Sequence, residues 1–387
     1  MKRAVFLVLA LVLMLSLAAP SLAQDRKVVT VSYTQEPLTL SPLYLTQWFA
    51  SNITDLLLTP PWWIDNNLEA VPLQVTEIPS VENGGLNAEG TVLTLRLRDD
   101  ITWSDGEPIT SADYVFTYEM IMADSNTVSS RFPWDTNVAS VAAPDETTVV
   151  ITFNEPFAPW LTTLYTVNPA LPEHVLRPVF EAEGTLDTAE WNRTLNPGSG
   201  PFVFNQWETG SFLSVVRSDS YFGGTAKIDE IFFRIVADDG TSQNAALEVG
   251  DADIGVFLTA ADADALEQQG LVIDITPSGY NEGWFLNVNP ATAHPAMLDL
   301  NVRKALAMAF DRQKIVDDLL LGLLPVPGSY WEATPYARPD AAPYPYDPAM
   351  AEQLLTDAGW VDSNSDGTRD KDGVELVLRF IASQRQI

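Results

Sequence analysis

Acidic side chains dominate the groups able to do chemistry: 52 Asp and Glu stand against 21 Lys and Arg, with 2 His and no Cys. Paired carboxylates are the tools of glycoside hydrolysis. Among 52 acids any two can fall close together, so no spacing singles out a pair. Thiol nucleophiles and thiol redox chemistry are excluded. His174, in Pro172-Glu173-His174-Val175-Leu176, and His294, between Ala293 and Pro295, both read as structural capping or surface residues. H-E-x-x-H, G-x-S-x-G and P-loop motifs are absent. One segment has cation-ligand spacing: Asp362, Asn364, Asp366 and Asp370 occupy loop positions one, three, five and nine, with Gly367 at six. Position twelve is Gly373 rather than a bidentate Glu, and an ordinary Asp/Asn/Gly turn is the favoured reading.

The elements that must carry any site begin after a secretory leader. Lys2 and Arg3 form a basic start, residues 4–15 an apolar stretch, and Ser21-Leu22-Ala23 a small-x-small cleavage site. The apolar stretch is short for a membrane span, and no Cys follows it to take a lipid anchor. The expectation is an exported, free protein; a retained N-terminal anchor is the alternative. Cleavage leaves 364 of 387 residues, enough for two or three cores. It also takes the net charge from −31 to −33, since Lys2 and Arg3 depart. Such a surface repels nucleic acid and anionic lipid, and it serves solubility first. Without disulfides, 11 Trp, 11 Tyr and 17 Phe must supply the packing.

Hydrophobic periodicity predicts strands over 28–33, 92–97, 147–153, 202–204, 212–216, 228–235, 251–257 and 280–289. Helices are predicted over 48–58, 110–123, 240–249 and 260–269, with a hairpin over 60–73. Thr110 and Asp113 have capping-box spacing. From Asp299 apolar residues recur at helical spacing, and Asp311 caps a second helix that stops at Gly322. Pro156, Pro159, Pro169, Pro172 and Pro178 punctuate the middle of the chain. The chain then runs through a strand near 376–381. Strands alternating with helices argue for an α/β fold.

Three blocks resemble one family. Thr102-Trp103-Ser104-Asp105-Gly106-Glu107-Pro108-Ile109-Thr110 with Asp113 and Phe116 resembles the W-S-D-G-x-P segment of peptide-binding receptors of ABC importers. Gly198-Ser199-Gly200-Pro201-Phe202, followed by Trp207, Gly210, Tyr221 and Gly223-Gly224, resembles their G-T-G-P-Y block. Residues 301–315 resemble their V-R-x-A…A-I-D-R helix. Smaller matches lie at Gly250-Asp251-Ala252-Asp253 and Ala358-Gly359-Trp360. On these residues the chain is identified as a member of the oligopeptide/dipeptide/nickel-type extracytoplasmic solute-binding proteins. Most motif residues also have structural uses: Thr110 caps, Pro108 stiffens a turn, and Gly198 and Gly200 mark tight backbone.

The resemblance implies a type II periplasmic-binding-protein-like clamshell of two α/β lobes. One lobe would comprise 24–66 and 178–280, with an additional subdomain at 67–177; 281–387 would form an incomplete second lobe of a C-terminally truncated chain. It implies a monomeric receptor that binds peptides in an interlobe cleft and hands them to permease and ATPase subunits, with no enzymatic activity and no cofactor. The candidate ligand surface combines Glu36, Leu38, Thr39 and Trp48 with Tyr280, Asn281, Trp284 and Phe285, extended by Tyr330 and Trp331. Any of these aromatics serves equally well as core. A nickel-chelate or other solute receptor is the alternative within the fold, although two His are unpromising as direct ligands. An exported carboxylate hydrolase is the alternative from another class, and a peptide sensor a third.

Overall fold

The computed structural model describes residues 26–236, 240–275, 283–332, 334 and 336–381. The leader lies outside the described residues. The chain divides into two compact units, Met1–Val256 and Phe257–Ile387. In chain order the first unit begins with β1 (Val28–Tyr33), α1 (Trp48–Leu57), β2 (Trp62–Ile64), β3 (Ala70–Pro72), β4 (Val92–Arg96) and α2 (Ser111–Met122). There follow α3 (Trp134–Asn137), β5 (Val138–Asp145), β6 (Thr148–Phe153), α4 (Trp160–Thr163), α5 (Glu173–Glu183) and α6 (Trp191–Thr194). It closes with β7 (Phe202–Glu208), β8 (Phe212–Arg217), β9 (Glu230–Ile235), α7 (Thr241–Val249) and β10 (Ile254–Gly255).

A five-stranded mixed sheet, β10-β1-β9-β8-β7, frames this unit. The interior strand β1 is parallel to both neighbours, Val31 pairing with Phe233 and Ile254. Its last three residues, Val31, Ser32 and Tyr33, are all buried, as expected of a parallel strand covered on both faces. Tyr33 stacks on Phe233 at 5.4 Å and meets Phe49 of α1 at 5.8 Å. Helix α1 buries Phe49, Ala50, Ile53 and Leu57, positions one helical face apart. A second, antiparallel sheet, β4-β6-β5, registers Leu93 on Ile151 and Leu95 on Val149, and all four side chains are buried. Trp62, Trp103 and Trp134 are fully buried, and removing one such ring from water contributes about 3 kcal/mol.

The predicted capping box is present at α2. The Asp113 carboxylate accepts from Thr110 N at 2.8 Å, and Thr110 Oγ1 accepts from Ala112 N at 3.3 Å. Asp113 also accepts from Glu173 N at 2.9 Å, so one buried acid caps α2 and receives the start of α5. Burial pushes its carboxyl pKa up, against the pull of those N–H donors. Strand β5 and helix α5 have no counterpart in the expected elements. Pro178 sits inside α5, and the prolines around it obscure the Leu176, Val179, Phe180 spacing that marks its apolar face.

The second unit holds α8 (Ala260–Gln268), a 3-10 turn at Pro295–Leu298, α9 (Leu300–Ala309), α10 (Arg312–Leu319) and α11 (Pro348–Asp357). Two short strands end it, β11 (Asp370–Lys371) and β12 (Val374–Glu375). Its core is small: Ala296, Met297, Val302, Ala358 and Trp360. The expected cap forms at α10, Asp311 accepting from Lys314 N at 3.0 Å, and Asp299, not expected as a cap, caps α9 by accepting from Asn301 N at 2.8 Å. Two expected strands do not. Residues 283–289 have no regular structure and are exposed, and so are 376–380 apart from a half-buried Leu376. Alternation of apolar side chains only makes a segment competent for pairing; a strand also needs a partner backbone.

Candidate ligand-binding surface

The loop after β1 is shaped by what its prolines forbid. Pro37 and Pro42 remove backbone donors, so the loop cannot extend the sheet ladder and is instead held by side chains. Both oxygens of Glu36 are engaged: Trp207 Nε1 donates to one at 2.7 Å and Gly210 N to the other at 3.0 Å. Gln47, one residue before α1, accepts from Leu38 N at 2.8 Å through its side-chain oxygen. Thr39 Oγ1 and Leu40 N both donate to the carbonyl of Asn192, at 3.0 and 2.9 Å. Leu40 is thereby driven into the core while Leu38 stands 80% exposed. Trp48, the first residue of α1, is 40% exposed.

Glu36 is thus a latch for the loop that carries Leu38 and Thr39. The latch extends further, because Arg193 lies 3.9 Å over the Trp207 ring and donates to Thr209 Oγ1 at 2.7 Å. Replacing Glu36 with Ala removes two charge-assisted bonds and leaves the Trp207 indole N–H without its acceptor. We expect a loss of about 2 kcal/mol in unfolding free energy, read from urea denaturation.

A cavity of about 230 Å³ opens beside this loop, lined by Leu38, Thr39, Tyr44, Asp187, Thr188, Ala189, Asn192 and Arg193. Five of these residues come from the turn before α6 and from α6 itself, and nothing in the sequence singles them out. Asn192 is held by its own side chain, Nδ2 donating to the Leu186 carbonyl at 2.6 Å.

In the second unit, Trp284 lies against Phe310 at 4.4 Å and Phe380 at 6.2 Å and remains 46% exposed. Phe285 is 90% exposed. Tyr330 meets Trp331 edge-on at 5.3 Å, and Trp331 meets Tyr336 at 6.1 Å, all three exposed. Tyr280 and Asn281 lie outside the described residues. The structure therefore groups Glu36, Leu38 and Thr39 with the turn before Trp48, and in the second unit it sets Trp284 against Phe310 and Phe380, and Tyr330 and Tyr336 against Trp331.

The cation-like loop behaves as a turn. Asp362 accepts from Asp366 N at 3.1 Å and Gly367 N at 3.0 Å, and Asn364 also accepts from Asp366 N at 3.0 Å. Asp366 accepts from Thr368 N at 2.8 Å, and Asp370 from Ser363 N at 2.9 Å. Among the described residues no group of three or more His, Asp or Glu is placed to hold a metal ion. Both histidines are occupied: His174 bonds Asp105 at 2.9 Å, and His294 accepts from Ala296 N at 3.2 Å while its other nitrogen meets the Glu375 carbonyl at 2.9 Å. No described helix is long and apolar enough to cross a membrane.

Comparison with known proteins places this architecture. The oligopeptide-binding protein AppA of Bacillus subtilis is 27% identical over 359 residues, covering 90% of this chain and 62% of that protein. Protein XP55 of Streptomyces lividans is 30% identical, covering 89% of this chain and 59% of that one. The chain thus spans about three fifths of the length of these relatives. The solved structure of AppA in complex with a nonapeptide superposes with a TM-score of 0.72 at 25% identity, covering 90% of this chain and 68% of that one. NikZ of Campylobacter jejuni, in complex with Ni(L-His), shares the fold with a TM-score of 0.75 at 24% identity, covering 90% and 66%. The model of the bacterial extracellular solute-binding proteins, family 5 (middle), matches residues 79–386, and the chain belongs to that family.

Proposed function

We propose that this protein is the solute-binding receptor of an ABC importer, that it binds oligopeptides or dipeptides, and that it delivers them to a membrane permease driven by an ATPase. The observation that carries the reading is the latched loop after β1. Its backbone is fixed by Glu36, Gln47 and Asn192, while Leu38 faces solvent where an extended ligand can lie. Pre-organisation of this kind lowers the ordering cost of binding a flexible peptide. Leu38, Thr39, Trp48, Trp284, Phe285, Tyr330 and Trp331 are the contact residues in this reading, joined by Tyr280 and Asn281; Glu36 acts mainly by holding the loop.

In this reading residues 24–66 and 178–280 serve as one lobe, 67–177 as its additional subdomain and 281–387 as part of the second. The leader at 1–23 is removed on export, and the receptor works as an extracytoplasmic monomer without a cofactor. Exposed aromatic groups suit ligands of varied side chain, since rings bury large areas with few rotatable bonds. Titration calorimetry with an oligopeptide library tests the assignment, with Ni(L-His) and sugars as controls. Saturable heats with peptides are expected; binding of a control ligand and of no peptide overturns it.

A further inference from the structure

We propose that Asp187 is a positioning residue for ligand binding: it anchors the far end of the loop that carries Leu38 and Thr39, opposite the Glu36 latch, without touching the ligand. The inference rests on the peptide reading above and deepens it. Past Thr39 the chain turns before α1, Tyr44 N donating to the Ser41 carbonyl at 3.1 Å. The carbonyls of Pro42 and Leu43 accept from Asn168 Nδ2 at 3.1 Å and Ser129 N at 2.9 Å. Those bonds fix the backbone of the turn. The Tyr44 side chain then ties it to the segment that holds Thr39, because its hydroxyl donates to the Asp187 carboxylate.

Asp187 is itself firmly placed. Thr127 donates its N–H at 2.9 Å to one carboxylate oxygen and its hydroxyl at 2.8 Å to the other. Burial pushes the carboxyl pKa up, but the Thr127 donors and the Tyr44 hydroxyl outweigh this and hold it below the usual range. The turn beneath is anchored as well: Leu186 N donates to Asn126 Oδ1 at 2.8 Å, and the buried Asn126 donates to the Met120 carbonyl of α2 at 2.9 Å. From this turn two arms reach the ligand loop. Asn192 Nδ2 bonds the Leu186 carbonyl, and the Asn192 carbonyl takes Thr39 Oγ1 and Leu40 N. Asp187 takes Tyr44. Residues 186–192 therefore grip the loop at both Thr39 and Tyr44. A loop held in one conformation before the ligand arrives lowers the ordering cost of binding.

The test is titration calorimetry on the purified protein with the library oligopeptide that the parent binds most tightly, each variant first shown to be folded by circular dichroism. Asp187→Ala is expected to weaken Kd about tenfold. Asp187→Asn is expected to stay within about threefold of the parent, since a carboxamide can accept from Thr127 N and donate to the Thr127 and Tyr44 hydroxyls. A carboxylate that paired directly with a ligand ammonium would not be rescued in this way. Leu38→Ala should weaken binding about fivefold, and adding Asp187→Ala to it should cost no more than a further twofold, because the loop then has little left to position. Tyr44→Phe removes only the hydroxyl and should weaken binding about threefold, which keeps the test open if Asp187→Ala does not fold. Parent-like affinity in Asp187→Ala or Tyr44→Phe, an Asn variant no better than Ala, or a full tenfold loss in the Leu38→Ala background overturns the positioning role and leaves the peptide reading intact. A parent that binds no oligopeptide overturns both.

Discussion

Gly200→Ala is expected to destabilise the protein by about 3 kcal/mol or more, because a Cβ there would sit 2.3 Å from the Leu56 carbonyl oxygen and 2.7 Å from the Leu57 carbonyl carbon. These are backbone atoms at the end of α1 and cannot swing aside. The close approach exists for a purpose. Ser199 N and Gly200 N both donate to the Leu57 carbonyl at 2.9 Å, and Ser199 Oγ accepts from Thr59 N at 2.9 Å. The Ser199-Gly200 backbone therefore satisfies the Leu57 carbonyl, one of those that every helix leaves open at its C-terminus. Gly184→Ala is the internal comparison. Gly184 ends α5 with φ of 75° and nothing within 4 Å of a Cβ, so only conformational strain of about 1 kcal/mol applies. Urea denaturation of the two variants should separate them clearly. Equal losses would show that the helix end is not clamped as described.

Asp55→Asn is expected to stabilise the protein at neutral pH, by about 2 kcal/mol, and to do so less and less as pH falls. Burial within α1 raises the Asp55 carboxyl from 3.8 to about 6. A raised acid binds its proton more tightly when folded, so the folded state holds more protons than the unfolded one between about pH 4 and 6. Stability contributed by this group is therefore full below pH 4 and lost as pH rises through 6. Asparagine keeps the shape without the buried charge. The difference between the variant and the parent should grow from near zero at pH 4 to its full value at pH 7.5, measured by denaturant midpoints. A difference that is flat with pH would rule out burial of the ionised group as its cause.

Capping chemistry was legible because it is local. Thr110, Asp113 and Asp311 each bond a backbone N–H within three residues, so spacing alone identifies them. Glu36, Leu38 and Thr39 entered the candidate surface through the family resemblance, and the structure places them in one loop after β1. The controlling partners of that loop were not legible. Asn192, Arg193 and Trp207 lie more than 150 residues away, and nothing in their local pattern marks them as contacts of Glu36 or Thr39. The Asp187 and Tyr44 walls of the cavity were missed for the same reason.

From composition, leader-like residues, caps and three ordered motifs, the sequence by itself determined an acidic, cysteine-free α/β chain of the family 5 solute-binding class. Those features are one-dimensional: residue type and separation along the chain are enough to state them. Only the tertiary structure decided that residues 283–289 and 376–380 stay outside any sheet, that Glu36 spends its charge on Trp207 and Gly210, and that an open cavity with one anion and one cation lies beside Thr39. Each of these depends on which distant backbone or side chain arrives as a partner. Strand pairing, carboxylate latching and cavity walls are long-range contacts, whose identity the folded core settles and local periodicity does not.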